Sequence, residues 1–147
     1  DGHDPDARAG MALASLYGGY CLGPVNTAGG HAVSYPLGAR YHVAHGAANA
    51  LIFPHVLAFN APATSERTAA ILEALALPVS TEPAKVFAAA NDWCVRLGCE
   101  MRMSAFGVPA DDLPAMAGEA HAIRRLLDNN PRDLAEADIL SIYRAAF

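Results

Sequence analysis

Apolar residues recur along this chain at helical rather than strand spacing. Strict alternation of apolar and polar positions, the mark of a half-buried strand, is absent, and no hairpin turn separates two such runs. From Pro5 to about Leu22 the chain is rich in Ala, Leu and Met, and Arg8 is its only charge after Asp6. This predicts a helix buried nearly all round. Gly18, Gly19 and Gly23 weaken helix propensity there and predict a neighbouring backbone packed close. Asn26 to Tyr35 reads as a second helix that Pro36 stops, with Gly38 adding a flexible point. Ala44 to Ala58 reads as a third, kinked or ended by Pro54.

Ser65 to Leu77 is amphipathic, and Pro78 stops it. Ser80 is a candidate N-cap for a helix from Glu82 to Leu97, with Gly98 as its stop. Asp111 to His121 is a shorter helix, its two leading aspartates favourable to the helix dipole. Asp133 with Glu136 resembles a capping box opening a last helix that runs to Phe147. The sum is an all-α fold, a single domain over residues 1–147 with seven helices.

Composition narrows the class further. Hydrophobic residues make up 53% of 147, and the mean hydropathy is +0.18, too apolar for a disordered chain. No apolar run reaches the roughly 18 to 20 residues of a membrane span, and no signal peptide opens the sequence. A net charge of −5 with no basic stripe argues against a nucleic-acid partner. Cys21, Cys94 and Cys99 are odd in number and irregularly spaced, and they read as buried free thiols in a cytoplasmic protein.

Chemistry concentrates in the run GGHAVSYPLGARYHVAHG, residues 29–46, which holds three of the six histidines. His31 and His45 are fourteen residues apart. On one straight helix that is about 21 Å, too far to share an ion. A common ligand role requires the chain to fold back, and Pro36 and Gly38 supply a break. Gly29, Gly30 and Gly46 predict close approach of another element or a substrate. Two nitrogens do not complete a catalytic metal site, which takes three or four protein ligands. His42 lies three residues before His45 and is open to three roles: a third ligand, a proton carrier, or a group that holds a ligand in place. Spacing alone leaves satisfied core histidines as the competing reading. His55 reads as a packing histidine, and His3 and His121 as surface groups. No P-loop, nucleophile elbow or dinucleotide fingerprint is present.

This run, followed by AANALIFPHVLAFN, resembles the histidine signature of the iron-containing (group III) alcohol dehydrogenases. The closing RLLDNNPRDLAEADILSIYRAAF is similar to that family's C-terminus, and the likeness extends from about Ala7 to Phe147. The resemblance implies the C-terminal helical, metal-binding domain of an NAD- or NADP-dependent enzyme. It implies a divalent metal, iron or else zinc, held by one aspartate and three histidines, of which His31 and His45 match two. The other two ligands and the N-terminal nucleotide-binding domain would lie upstream of this chain, so the chain alone is expected to be inactive.

Where many members carry a second histidine four residues after the first, Tyr35 stands here. Tyr35 and His42 are therefore the candidates for contact with substrate or cofactor, and Tyr20 and Leu22 for lining the substrate pocket. The implied reaction interconverts a small alcohol and an aldehyde or ketone by metal-assisted hydride transfer, in a homodimer. Two alternatives stand beside it: a metal-free reductase of the maleylacetate type, and a non-catalytic helical module that dimerises or docks on a separate subunit.

Overall fold

The computed structural model describes residues 2–147. Among them there is no strand, and eight α-helices carry the fold: α1 (Pro5–Val25), α2 (Gly29–Tyr41), α3 (His45–Asn60), α4 (Ser65–Ala74), α5 (Pro83–Arg96), α6 (Leu113–His121), α7 (Arg124–Leu127) and α8 (Glu136–Ala145). The all-α expectation holds. The eighth helix is α7, a single turn too short to leave a periodic signal.

Helix α2 packs on α3 and α6, α3 on α5, and α6 on α8. Ala32, Val33 and Leu37 of α2 meet Leu51 and Ile52 of α3, Met116 of α6 and Ile139 and Tyr143 of α8 in the main core. A second cluster joins Leu57 and Ala61 to Leu72, Val86 and Ala90, under α4 and α5. Each fully buried aliphatic side chain contributes about 1.5–3 kcal/mol. The buried Tyr143 hydroxyl donates to the Val33 carbonyl at 2.7 Å, and burial pushes its pKa far up.

Pro36 does not act as expected, and Pro54 does not end its helix. Helix α2 runs through Pro36 to Tyr41, and α3 runs through Pro54 to Asn60. A proline removes one helical hydrogen bond. Both of these are buried, in helices held by packing on either side, which offsets that loss. The reversal between α2 and α3 falls later, at His42, whose backbone is left-handed (φ 55°, ψ 27°).

Helix α1 departs furthest from expectation. Asp4 caps it, accepting from the amides of Asp6 at 2.9 Å and Ala7 at 3.4 Å. Yet every side chain described along it except Ala7 is exposed, Met11 by 71% and Tyr20 by 69%. Nothing lies within 4 Å of a Cβ placed at Gly18, Gly19 or Gly23. The apolar residues are there, but no other described element covers them. Its end is tied down by Asn129, whose amide donates to the carbonyls of Val25 and Thr27.

The last helix is capped differently from the reading of Asp133. Asp138 accepts from the Ala135 amide at 3.1 Å, while Asp133 pairs with Arg124. Of the thiols only Cys94 is buried; Cys21 is exposed and Cys99 half-buried, and all three are free. No helix among the described residues is long and apolar enough to cross a membrane.

Candidate metal centre

His31 stands in the first turn of α2 and His45 opens α3, and the packing of α2 on α3 sets the two imidazoles side by side. Their ring centroids are 5.2 Å apart, with the planes inclined at 49°. Fold-back therefore occurs, and the left-handed turn at His42 produces it. Burial, and then the neighbouring His45, lower the His31 pKa below the usual imidazole value. His31 is thus held in its neutral form near pH 7, the form that ligates a metal.

Helix contacts fix the pair from behind. The buried Ser34 hydroxyl lies 3.0 Å from the His31 carbonyl and 3.2 Å from Asn49 Oδ1. The Asn49 amide donates to the His45 carbonyl at 3.0 Å and lies 3.3 Å from His45 Nε2 and 3.5 Å from Nδ1. Ser34 and Asn49 thus link the two helices at the histidine pair. Neither was singled out by sequence reasoning, although Asn49 sits one turn after His45 and so on its face. Beyond Asn49 an apolar groove of about 700 Å³ runs between α3, α4 and α5, lined by Phe53, Ile71, Leu75, Trp93 and Leu97.

Tyr35, one turn after His31, meets that imidazole in a T-shaped arrangement at a centroid distance of 6.5 Å. His42 is exposed in the turn and makes no ring contact with either histidine among the described residues. Tyr20 and Leu22, expected in a substrate pocket, lie on α1 with 69% and 50% of their surface open. His55 is remote from the pair. It is buried against Phe87 at 4.7 Å, and burial lowers its pKa to about 4. His121 lies 3.4 Å from an Arg124 nitrogen at the surface, and His3 is also exposed.

The glycines divide. A Cβ at Gly29 would stand 2.7 Å from Asn130 Oδ1 and from Leu134 Cδ1, whereas Gly30 and Gly46 have open space. Gly29 alone is therefore a close approach between elements. At the far end of α2, Arg40 pairs with Asp112 at 3.2 Å and with Glu119 at 3.4 Å. Tyr41 donates to Asp112, and this hydrogen bond raises the Tyr41 pKa.

Two imidazole donors suit iron(II) or zinc. Two such donors would supply half of a four-ligand set, and the described residues contain no group of three His, Cys, Asp or Glu side chains able to hold an ion. The donor set fits such a metal as a half-site.

A helical fold with a paired-histidine half-site defines a recognisable class. Residues 1–147 match the C-terminal region of the Fe-containing alcohol dehydrogenase family, and the chain belongs to that family. It is 34% identical over 152 residues to a long-chain-alcohol dehydrogenase of Geobacillus thermodenitrificans, covering 100% of this chain and 38% of that protein. It is 33% identical over 153 residues to the lactaldehyde reductase of Escherichia coli, covering 98% and 39%. The crystal structure of a 1,3-propanediol oxidoreductase superposes with a TM-score of 0.86 at 34% identity, covering 99% of this chain and 39% of that one. The chain thus spans under two-fifths of the length of these relatives.

Proposed function

We propose that this chain is the C-terminal helical domain of an NAD(P)-dependent alcohol dehydrogenase that interconverts an alcohol with an aldehyde or ketone. In this reading His31 and His45 are two ligands of its divalent metal, iron or else zinc. The observation that carries the reading is the 5.2 Å pairing of these two rings, from helices that a single turn folds together. When bound, the metal supplies Lewis acidity toward the substrate oxygen, and the nicotinamide carries the hydride.

The chain's own residues do the rest. His31 and His45 offer neutral nitrogens. Asn49 and Ser34 hold the His45 ring and the α2–α3 register, as groups behind metal ligands commonly do. Tyr35 borders the site and contacts the substrate or the nicotinamide. His42, at the turn, is the second candidate for that contact.

The remaining ligands and the nucleotide-binding domain belong to the rest of the longer, cytoplasmic protein, a homodimer. The exposed apolar length of α1 supports this division, because a surface of that kind is normally covered by a partner element.

Metal analysis tests the reading. In the full-length protein, His31→Ala and His45→Ala are each expected to lose bound iron or zinc together with NAD(P)-linked alcohol oxidation. Stoichiometric metal retained in both variants overturns the ligand assignment.

A further inference from the structure

Tyr35 borders more than the histidine pair. It also lines a cavity of about 500 Å³ shared with Ala122, Ile123, Arg124 and Arg125. The two arginines are not equivalent. Arg124 pairs with Asp128 at 2.6 Å and Asp133 at 3.2 Å, and so is neutralised. Arg125 has no ion-pair partner for its guanidinium among the described residues. The Tyr35 hydroxyl likewise has no hydrogen-bond partner among them.

Arg125 is nevertheless held in place. The next two residues, Leu126 and Leu127, are core side chains, 0% and 1% exposed. The Asn129 amide ties the end of α1 to this turn. Two unpartnered donors, one of them a permanent cation, therefore face one cavity whose Tyr35 wall abuts His31. A planar guanidinium lining the same cavity as a hydroxyl suits a carboxylate or sulfonate, and the hydrogen bonds formed would be charge-assisted.

We infer that this cavity receives an anionic group, a carboxylate or sulfonate, carried by the substrate away from its carbonyl or hydroxyl carbon. Arg125 is then a specificity-determining residue. The inference rests on the proposed dehydrogenase reading and names its substrate class.

The test compares succinic semialdehyde with butanal, matched in carbon number and differing in charge, on the full-length protein. The wild type is expected to favour the anionic aldehyde in kcat/KM. Arg125→Gln should lower the anionic-to-neutral ratio roughly 10- to 100-fold, mostly through KM, and Arg125→Lys should restore part of it. An unchanged ratio in Arg125→Gln overturns the inference while leaving the dehydrogenase reading intact. So does a shift confined to the KM of NADH or NADPH, which would assign the cavity to a nucleotide phosphate.

If neither aldehyde is turned over, metal analysis still tests the dehydrogenase reading, and calorimetric titration with succinate decides the inference separately. Binding weakened about tenfold or more in Arg125→Gln supports an anion site. Equal affinity in both proteins, or none in either, overturns it. Arg125 is exposed, so the variant is expected to keep the far-ultraviolet circular dichroism of the wild type.

Discussion

The side-chain amide of Asn49 reaches both the backbone carbonyl and the imidazole of His45, at 3.0 Å and 3.3 Å. One residue thereby fixes the start of α3 and the direction of its first side chain. Its own oxygen lies 3.2 Å from the Ser34 hydroxyl of α2, so the restraint crosses the helix pair. Replacing it frees the His45 ring without removing a donor nitrogen. Asn49→Ala in the full-length protein is expected to weaken metal affinity about 10- to 100-fold with the helical content unchanged. Competitive titration against a chelator measures this. Wild-type affinity in the variant would remove Asn49 from the site.

Gly29 sets where α2 begins, and hence where His31 stands. The atoms a Cβ would strike belong to Leu134, which is fully buried, and Asn130, whose amide exchanges hydrogen bonds with Asn60 at 3.0 Å and 2.8 Å. Neither can move cheaply. Gly29→Ala is expected to cost about 1–3 kcal/mol through overpacking. Gly30→Ala has open space and gains helix propensity, so it should be neutral or slightly stabilising. Thermal melts of the two variants side by side check this, and equal melting temperatures would show that the contact at Gly29 carries no strain.

His42 occupies a left-handed conformation normally given to glycine or asparagine at a helix end. A side chain there costs about 1 kcal/mol. His42→Gly is therefore expected to raise Tm by a few degrees, somewhat offset by the freedom glycine adds to the unfolded chain. If the imidazole also contacts substrate or cofactor, the same variant loses turnover while gaining stability. A rise in Tm with turnover unchanged would confine His42 to shaping the turn.

Legibility in the sequence followed length and periodicity. The helices α5, α6 and α8 were readable because each presents a repeating apolar face to a described neighbour, and α3 because it is apolar nearly all round. The meeting of His31 and His45 was readable as a requirement, but not where the chain turns: buried Pro36 stays helical, and a histidine takes the left-handed cap. Burial of α1 was misread because an all-round apolar helix reveals its need for cover and not whether any neighbour supplies it. The Ser34–Asn49 link and the pairing states of Arg124 and Arg125 depend on which polar groups tertiary packing brings together, and no local pattern encodes that.

His55 gives the fold its own acid sensitivity, separate from the metal site. The residue is 9% exposed, its imidazole tilted against Phe87, and burial lowers its pKa to about 4, against about 6.5 in an unfolded chain. Between these values the unfolded chain binds more protons at this position than the folded one does. Stability therefore rises with pH across the window and is lost as pH falls from about 6.5 toward about 4. The slope approaches about 1.4 kcal/mol per pH unit and vanishes for this group below about 4. Arg132 and Asp138 are the charged groups that line the same cavity of about 460 Å³. His31, also lowered, adds a dependence of the same sign. Urea unfolding at a series of pH values should therefore show a reduced but surviving slope in His55→Gln. A variant slope equal to that of the wild type would show that His55 is not the buried titrating group.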